Sequence, residues 1–217
     1  MSTSSPNLPK IVHVGPGLAV RGGVSAVERL IIDSISRHVQ VEHVATAEDG
    51  GGILRRMRVF GAALWRIHSI LRDKSPCIFH VHFASRGSTL RKCIVSLMVL
   101  RTSGWLVLHA HGAAFDSFFS NLPRPLQERV ARIFRRSHGF VVLSTQWHEF
   151  YATRLALHPD RIQIMVNPKE RAPRGDLAQG GYEAGRASIR VQTAPAAAAT
   201  ESPIECERGM GPIPRRR

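Results

Sequence analysis

Residues 10–35 read KIVHVGPGLAVRGGVSAVERLIIDSI, which combines a short apolar run, a glycine-rich loop and a helical pattern. The apolar run predicts a β-strand that ends at Gly15 and contains Ile11, Val12 and Val14. Beyond the loop, apolar residues recur at helical spacing, at Val24, Val27, Ile31 and Ile35. The stretch therefore predicts a strand, a loop and a helix that packs back on the strand.

The loop offers a binding corner for an anion or a sugar at Gly22 and Gly23. Glycines before a helix N-terminus let a ligand approach unpaired amides at the positive end of the helix dipole. The loop matches the dinucleotide-binding fingerprint poorly, because Gly15 and Gly17 supply the first two glycines but Val20 holds the third position. No acidic residue stands clearly at the end of the next strand, where a ribose would need it. The other interpretation is a loop that simply turns the chain from strand to helix.

Apolar strand patterns alternate with helical patterns over residues 10–168. This alternation predicts the α/β class with a doubly wound, mostly parallel sheet in a Rossmann-like domain. In such a sheet the carboxyl ends of the strands share one edge, where ligands bind. The residues expected at this edge are Gly15, His82, His111 and Ser144.

The composition of the chain changes after Pro168. Residues 169–217 contain no Phe, Trp or His and are rich in Ala, Gly, Arg and Pro. Such a segment cannot bury enough apolar surface to offset the entropy lost on ordering it. We therefore expect a disordered, low-complexity tail over residues 169–217 and a flexible N-terminus over residues 1–9.

The chain is strongly basic, with 30 Lys and Arg residues against 16 Asp and Glu and a formal net charge of +14. This charge favours an anionic partner. Nucleic acid is not expected, because basic and aromatic residues do not interleave and no nucleic-acid-binding motif is present. Three widely spaced cysteines match no metal or redox pattern, and the N-terminus lacks the apolar core of a signal peptide. The expected location is the cytoplasm.

Two His-x-His pairs, His80/His82 and His109/His111, stand in consecutive predicted strands. Alternate residues of a strand share a face, so the imidazoles of each pair project the same way. A zinc site would need a third ligand, and the sequence offers none in pattern, so no metal is expected. The pairs are then either structural histidines satisfied within the fold or substrate-orienting groups. The second interpretation centres on His111, which Gly112 follows.

Five short motifs occur in order along residues 10–168. They are GGVSAVERL at 22–30, FHVHF at 79–83, LHAHG at 108–112, FVVLS at 140–144 with Gln146-Trp147, and Val166-Asn167-Pro168. Together they resemble the N-terminal, acceptor-side domain of retaining glycosyltransferases of the family 4 type, which have the GT-B double-Rossmann architecture. The resemblance implies transfer of a hexosyl group from a nucleotide-sugar to a sugar or lipid-linked acceptor in polysaccharide or glycolipid synthesis, without a cofactor and usually without a metal.

The resemblance also implies roles for individual residues. Gly22 and Gly23 are expected beside the donor diphosphate and the reacting sugar. His111 is expected to face the acceptor cleft as the catalytic residue. Further residues expected to bind donor or substrate are Arg21, His82, Gly112 and Ser144.

The basic helices of such enzymes often dock on anionic membrane, here the inner face of the cell membrane. One candidate helix covers residues 53–74, with an apolar face formed by Leu54, Met57, Phe60, Leu64, Ile67 and Leu71. The other candidate residues are Arg129, Arg132, Arg135 and Arg136. The alternative for these helices is core packing with a solvated basic face. The alternative for the whole protein is a non-catalytic, basic Rossmann-like module that binds anionic membrane or a phosphorylated ligand.

The sequence departs from the glycosyltransferase pattern after Pro168, where a donor-binding domain should begin. Residues 169–217 contain no counterpart of the donor-side basic pair and no two glutamates eight positions apart. We therefore expect a truncated or frameshifted glycosyltransferase with very low activity by itself.

Overall fold

A computed structural model describes residues 10–73, 75–112 and 114–166, and the backbone of residues 191–192. The strands are β1 (Lys10–Gly15), β2 (Gln40–Ala45), β3 (Cys77–Phe83), β4 (Trp105–Ala110), β5 (Gly139–Val142), β6 (Ile162–Met165) and β7 (Val191–Gln192). The α-helices are α1 (Gly23–Ile35), α2 (Ile53–Arg72), α3 (Gly87–Val99), α4 (Phe115–Ser120), α5 (Arg124–Arg135) and α6 (Thr145–Arg154). A short 3-10 turn, Pro159–Arg161, precedes β6.

Strands β1 to β6 form one parallel sheet in the order β2-β1-β3-β4-β5-β6. This confirms the predicted α/β class and the doubly wound sheet. The chain moves outward from β1 to β2 and then returns to β3 on the other side of β1, so the strand order reverses between β1 and β3. Ligands of doubly wound sheets bind at the carboxyl edge at such a switch point.

The sheet has two different faces. One face is apolar, since Val12, Phe79, Leu108 and Phe140 lie in one buried cluster with side chains of α2, α3, α5 and α6. The other face carries a row of histidines from β2, β1, β3 and β4. The connection from β1 to β2, which contains α1, runs across the sheet in the opposite direction from the connections that follow it. Because such connections are right-handed, α1 lies on the histidine face and the later helices lie on the apolar face.

The first two turns of α2 extend beyond the sheet. Leu54 and Met57, which the helical spacing placed on an apolar face with core residues, are 74% and 65% exposed. The buried part of α2 begins near Phe60 and includes Ala63 and Ile67. The reason is length, because a 20-residue helix spans about 30 Å whereas a seven-residue strand spans about 23 Å.

Strand β7 pairs antiparallel with β6 at the edge of the sheet. It is the part of the predicted tail that the structure describes; the remainder of residues 169–217, like the predicted flexible residues 1–9, lies outside the described residues. Within the described ranges, no helix combines the length and the apolar character needed to cross a lipid bilayer.

Candidate functional site

The residues predicted to bind substrate fall into two groups at the carboxyl edge of the sheet. Arg21, Gly22 and Gly23 line a cleft of about 230 Å³ at the N-terminus of α1. The second group surrounds His82 and His111, whose ring nitrogens are 2.9 Å apart. We call the first place the glycine cleft and describe it before the histidines.

The glycine cleft lies where the strand order reverses. Its polar lining comes from the start of α1, the end of β2 and the start of α3, and includes Gly22, Gly23, Ser25, Thr46, Ser88, Arg91 and Lys92. No side chain caps the N-terminus of α1, so its first amide groups lack a side-chain acceptor. The cleft therefore presents amide donors and cationic side chains together, which suits an anion.

Gly22 has a backbone conformation that only glycine adopts readily, with φ 157° and ψ 161°. Its carbonyl accepts the first hydrogen bond of α1, from the amide of Ala26 at 3.2 Å. Gly23 follows at the first helical position, and a β-carbon added there would meet no atom within 4 Å. The two glycines thus differ: the first is needed for the turn, and the second leaves open space.

Lys92 is the buried cation of the glycine cleft. It is 2% exposed, and its Nζ donates a hydrogen bond to Thr46 Oγ1, which in turn donates to the carbonyl of Gly15. Burial lowers the pKa of Lys92 to about 7, while the Glu28 carboxylate raises it and Arg91 lowers it further. An anion in the cleft would favour the charged lysine.

Five side chains form what we call the histidine cluster: His13, His80, His82, His109 and His111. The register places His13 opposite His80 and His82 opposite His109. His82 lies at the centre, with its Nε2 3.1 Å from His13 Nδ1 and its Nδ1 2.9 Å from His111 Nε2. Since a neutral imidazole donates through one nitrogen and accepts through the other, these contacts can form one directed chain of hydrogen bonds.

The histidine cluster is neutral at physiological pH. Burial lowers the pKa of His13 and of His111 to about 4, and that of His80 to about 3. Burial, together with the neighbouring histidines, holds the pKa of His82 and of His109 well below the usual value. Neutral imidazoles can orient a substrate hydroxyl or ligate a metal without first losing a proton.

Glu28 of α1 lies against the histidine cluster and is 0% exposed. Its Oε1 is 3.5 Å from His43 Nε2 and 3.9 Å from His82 Nε2. The carboxylate fills the space above Gly15, where an added β-carbon would lie 1.9 Å from Oε2. The absence of a side chain at Gly15 is therefore what lets Glu28 reach the sheet.

Ser144 and Gly112 have identifiable structural roles beside the cluster. Ser144 caps α6 by accepting a hydrogen bond from the amide of Trp147 at 3.4 Å. Gly112 has φ 67°, and a β-carbon there would lie 3.2 Å from Trp147 Nε1. Both positions therefore lie next to Trp147 at the start of α6.

Sequence reasoning missed several residues of these two places. Lys92 lies on the buried side of α3 with Thr89, Cys93 and Ser96, and this mostly polar set gave no apolar pattern from which its burial could be predicted. His13 and Glu28 were missed as well. They join the predicted histidines only through the strand register and the packing of α1.

No family model matches the chain, and a search of curated proteins finds no significant match. The resemblance to glycosyltransferases therefore depends on the five short motifs alone. The structure shows the fold class without assigning a family. This is a parallel, six-stranded, Rossmann-like α/β domain.

Proposed function

We propose that this chain supplies the acceptor-side domain of a retaining glycosyltransferase that uses a nucleotide-sugar donor. The observation that supports this most is the glycine cleft, which places Gly22 and Gly23 at a helix N-terminus at the switch point of the sheet. The donor diphosphate would accept hydrogen bonds from the first amides of α1, with Arg21, Arg91 and Lys92 balancing its charge.

The size of the glycine cleft limits what it can hold. Its volume of about 230 Å³ is below the 300–1,000 Å³ typical of pockets for drug-sized ligands. It therefore suits a diphosphate with part of a sugar rather than a whole nucleotide-sugar. The nucleoside would need a second, donor-binding domain, and sugar transfer requires both substrates to be held together.

His111 is the proposed catalytic residue at the acceptor. It is 9% exposed at the end of β4, and its Nε2 is engaged with His82. Only Nδ1 can then meet an acceptor hydroxyl. A neutral imidazole fixed by His82 would orient that hydroxyl toward the reacting sugar above Gly22 and Gly23, with Gly112 directly after it and Ser144 at the start of α6.

An NMR titration of the full chain tests the donor site. Amide chemical shifts are followed while UDP-glucose, GDP-mannose or inorganic pyrophosphate is added. The largest changes are expected at Gly22, Gly23 and Val24. Gly23→Ala adds a methyl group in open space, so it should preserve the fold but weaken ligand binding at least tenfold. Gly61→Ala, at an exposed and equally open glycine of α2, is the matched control and should bind like the wild type.

The outcomes separate the proposals. Shifts with a nucleotide-sugar that extend beyond those seen with pyrophosphate, toward His111 and Gly112, support the glycosyltransferase, because part of the sugar would then occupy the cleft. The same shifts with all three ligands favour the non-catalytic module for phosphorylated ligands. No shift at residues 22–24 with any of them would refute a donor diphosphate at this cleft.

A second proposal, docking on anionic membrane, is supported by the exposed start of α2. Ile53, Leu54 and Met57 are 75%, 74% and 65% exposed; Arg55 and Arg56 stand between them, and Arg58 follows Met57. Apolar side chains flanked by arginines suit insertion at the surface of an anionic bilayer. Arg129 and Arg132 of α5 are exposed, as is Arg136 directly after the helix, whereas Arg135 donates a hydrogen bond to the carbonyl of Leu155.

Co-sedimentation with vesicles of phosphatidylglycerol and phosphatidylcholine tests the docking surface. Leu54→Glu with Met57→Glu should reduce the bound fraction at least fivefold, because the change removes apolar contact and adds negative charge. Trp105→Glu is the control, since Trp105 is 60% exposed at the amino edge of the sheet, opposite the start of α2. Equal loss in both variants, or no binding by the wild type, would contradict docking through α2.

A further inference from the structure

The histidine cluster contains buried polar atoms that have no hydrogen-bond partner in the part of the chain that the structure describes. They include His13 Nε2, His80 Nε2 and both ring nitrogens of His109, and both carboxylate oxygens of the adjacent Glu28 also lack a partner. A buried polar group without a partner costs about 1–3 kcal/mol, and more if it is charged. A ligand that bound some of these atoms would recover part of that free energy.

A cation is the ligand that this set of atoms fits. Each of His13, His80 and His82 offers one nitrogen, and these three nitrogens lie within 4.8 Å of one another. His13 Nδ1 and His82 Nε2 are 3.1 Å apart. Two nitrogens bound at about 2.0–2.1 Å in a tetrahedral zinc site would be about 3.3 Å apart, so the imidazoles need little movement.

We propose that His13, His80 and His82 bind one divalent transition-metal ion, with the Glu28 carboxylate as the anionic fourth ligand. Imidazole nitrogens with a carboxylate and no thiolate suit Zn²⁺ and its neighbours Co²⁺, Ni²⁺ and Cu²⁺. Glu28 supplies the negative charge that a buried dication requires. Lys92, the buried lysine of the glycine cleft, bonds to Thr46 rather than to this carboxylate, whose Oε1 lies 3.5 Å from His43 Nε2.

A second set of three nitrogens, from His82, His109 and His111, also lies within 4.8 Å. Two observations favour the first set. Glu28 Oε1 lies 3.9 Å from His82 Nε2, which is the nitrogen that faces His13 rather than His111. The other nitrogen of His82 contacts His111 Nε2, and metal-bound histidines generally use their second nitrogen for such a hydrogen bond.

The proposed metal site shares His82 with the proposed sugar-transfer site, but its test needs no enzymatic activity. The full chain is stripped with a chelator, dialysed, and titrated with ZnCl₂ and separately with CoCl₂. We expect one tightly bound equivalent by elemental analysis, a rise in Tm with zinc, and the strong visible absorption of four-coordinate Co²⁺.

Matched variants locate the site. Glu28→Gln keeps the shape of the side chain and should lower zinc affinity at least tenfold. His80→Gln should abolish the zinc-dependent rise in Tm. His68→Gln, at an exposed position of α2, and His109→Gln, which belongs to the second set, should both retain it.

Three outcomes would overturn the proposal. The first is the lack of stoichiometric binding at micromolar zinc by a wild-type chain whose circular dichroism shows it to be folded. The second is binding that survives His80→Gln but is lost in His109→Gln, which would assign the metal to the other three histidines. The third is loss of binding in His68→Gln, which would indicate adventitious surface binding. If His80→Gln fails to fold, Glu28→Gln takes its place as the test, because wild-type zinc affinity in that variant would also contradict the proposed ligand set.

Discussion

Gly15 and Glu28 are coupled at the scale of single residues, because the carboxylate occupies the place of the missing side chain. Gly15→Ala should therefore destabilise the fold by about 1–3 kcal/mol, by displacing a buried carboxylate from beside His43 and His82. In a Glu28→Ala background the same substitution should have little effect, because the obstruction is gone. Urea unfolding of the four chains measures the coupling. Equal costs in both backgrounds would show that the two residues do not share this space.

Site residues that belong to a repeated pattern could be predicted from the sequence, whereas isolated site residues could not. The two His-x-His pairs stood in alternation, and β3 and β4 lie side by side with His82 opposite His109. His13 is one histidine in an apolar strand, and only the parallel register of β1 with β3 brings it to His80 and His82. Glu28 lies four residues after Val24 and three before Ile31, which is the spacing of the apolar side of α1, but carboxylates are seldom fully buried. Long-range register and a buried charge are properties of the assembled fold, so sequence patterns did not reveal them.

At the scale of elements, the start of α1 depends on two glycines with different conformations. Gly22→Ala places a β-carbon on a backbone with φ 157° and ψ 161° and should cost about 1–3 kcal/mol. Gly23→Ala should be neutral or stabilising by up to about 1 kcal/mol, because the residue opens a helix and has free space. Denaturant midpoints of the two variants measure this difference. Similar midpoints would mean that the turn adapts to a side chain at Gly22.

The alternation of elements was predictable, whereas the extent of each one was less so. Helix α2 begins at Ile53 as the spacing predicts, but its apolar pattern did not show where the sheet beneath it ends. Leu54 and Met57 therefore continue the apolar stripe into solvent. Periodicity reports which side of a helix is apolar; the dimensions of the neighbouring strands determine how much of that side is covered.

At the scale of the whole molecule, buried bases make folding depend on pH. Burial lowers the pKa of Lys92 from 10.5 to about 7, so between these values the unfolded chain holds a proton that the folded chain has released. The free energy of unfolding should therefore rise with pH in this window, by up to about 1.4 kcal/mol per pH unit from this group. Below pH 6.5 the buried histidines also make the free energy of unfolding rise with pH. In the unfolded chain they bind protons in this range, whereas in the folded chain His13, His80 and His111 bind them only near pH 3–4.

Lys92→Met isolates the contribution of the lysine. The comparison is best made between pH 7 and pH 8.5, which lies above the range in which the histidines titrate. At higher pH, Cys93 would oppose the rise in unfolding free energy, because burial raises the pKa of its thiol to about 12. Over this window the wild type should gain about 1–2 kcal/mol more than the variant, measured by urea unfolding in a metal-free buffer without phosphate. If the free energy of unfolding rises equally with pH in both chains, Lys92 stays charged in the folded protein. An anion bound in the glycine cleft throughout the measurement would have this effect. Repeating the measurement with saturating pyrophosphate tests that link, because a bound anion should flatten the wild-type curve toward that of Lys92→Met.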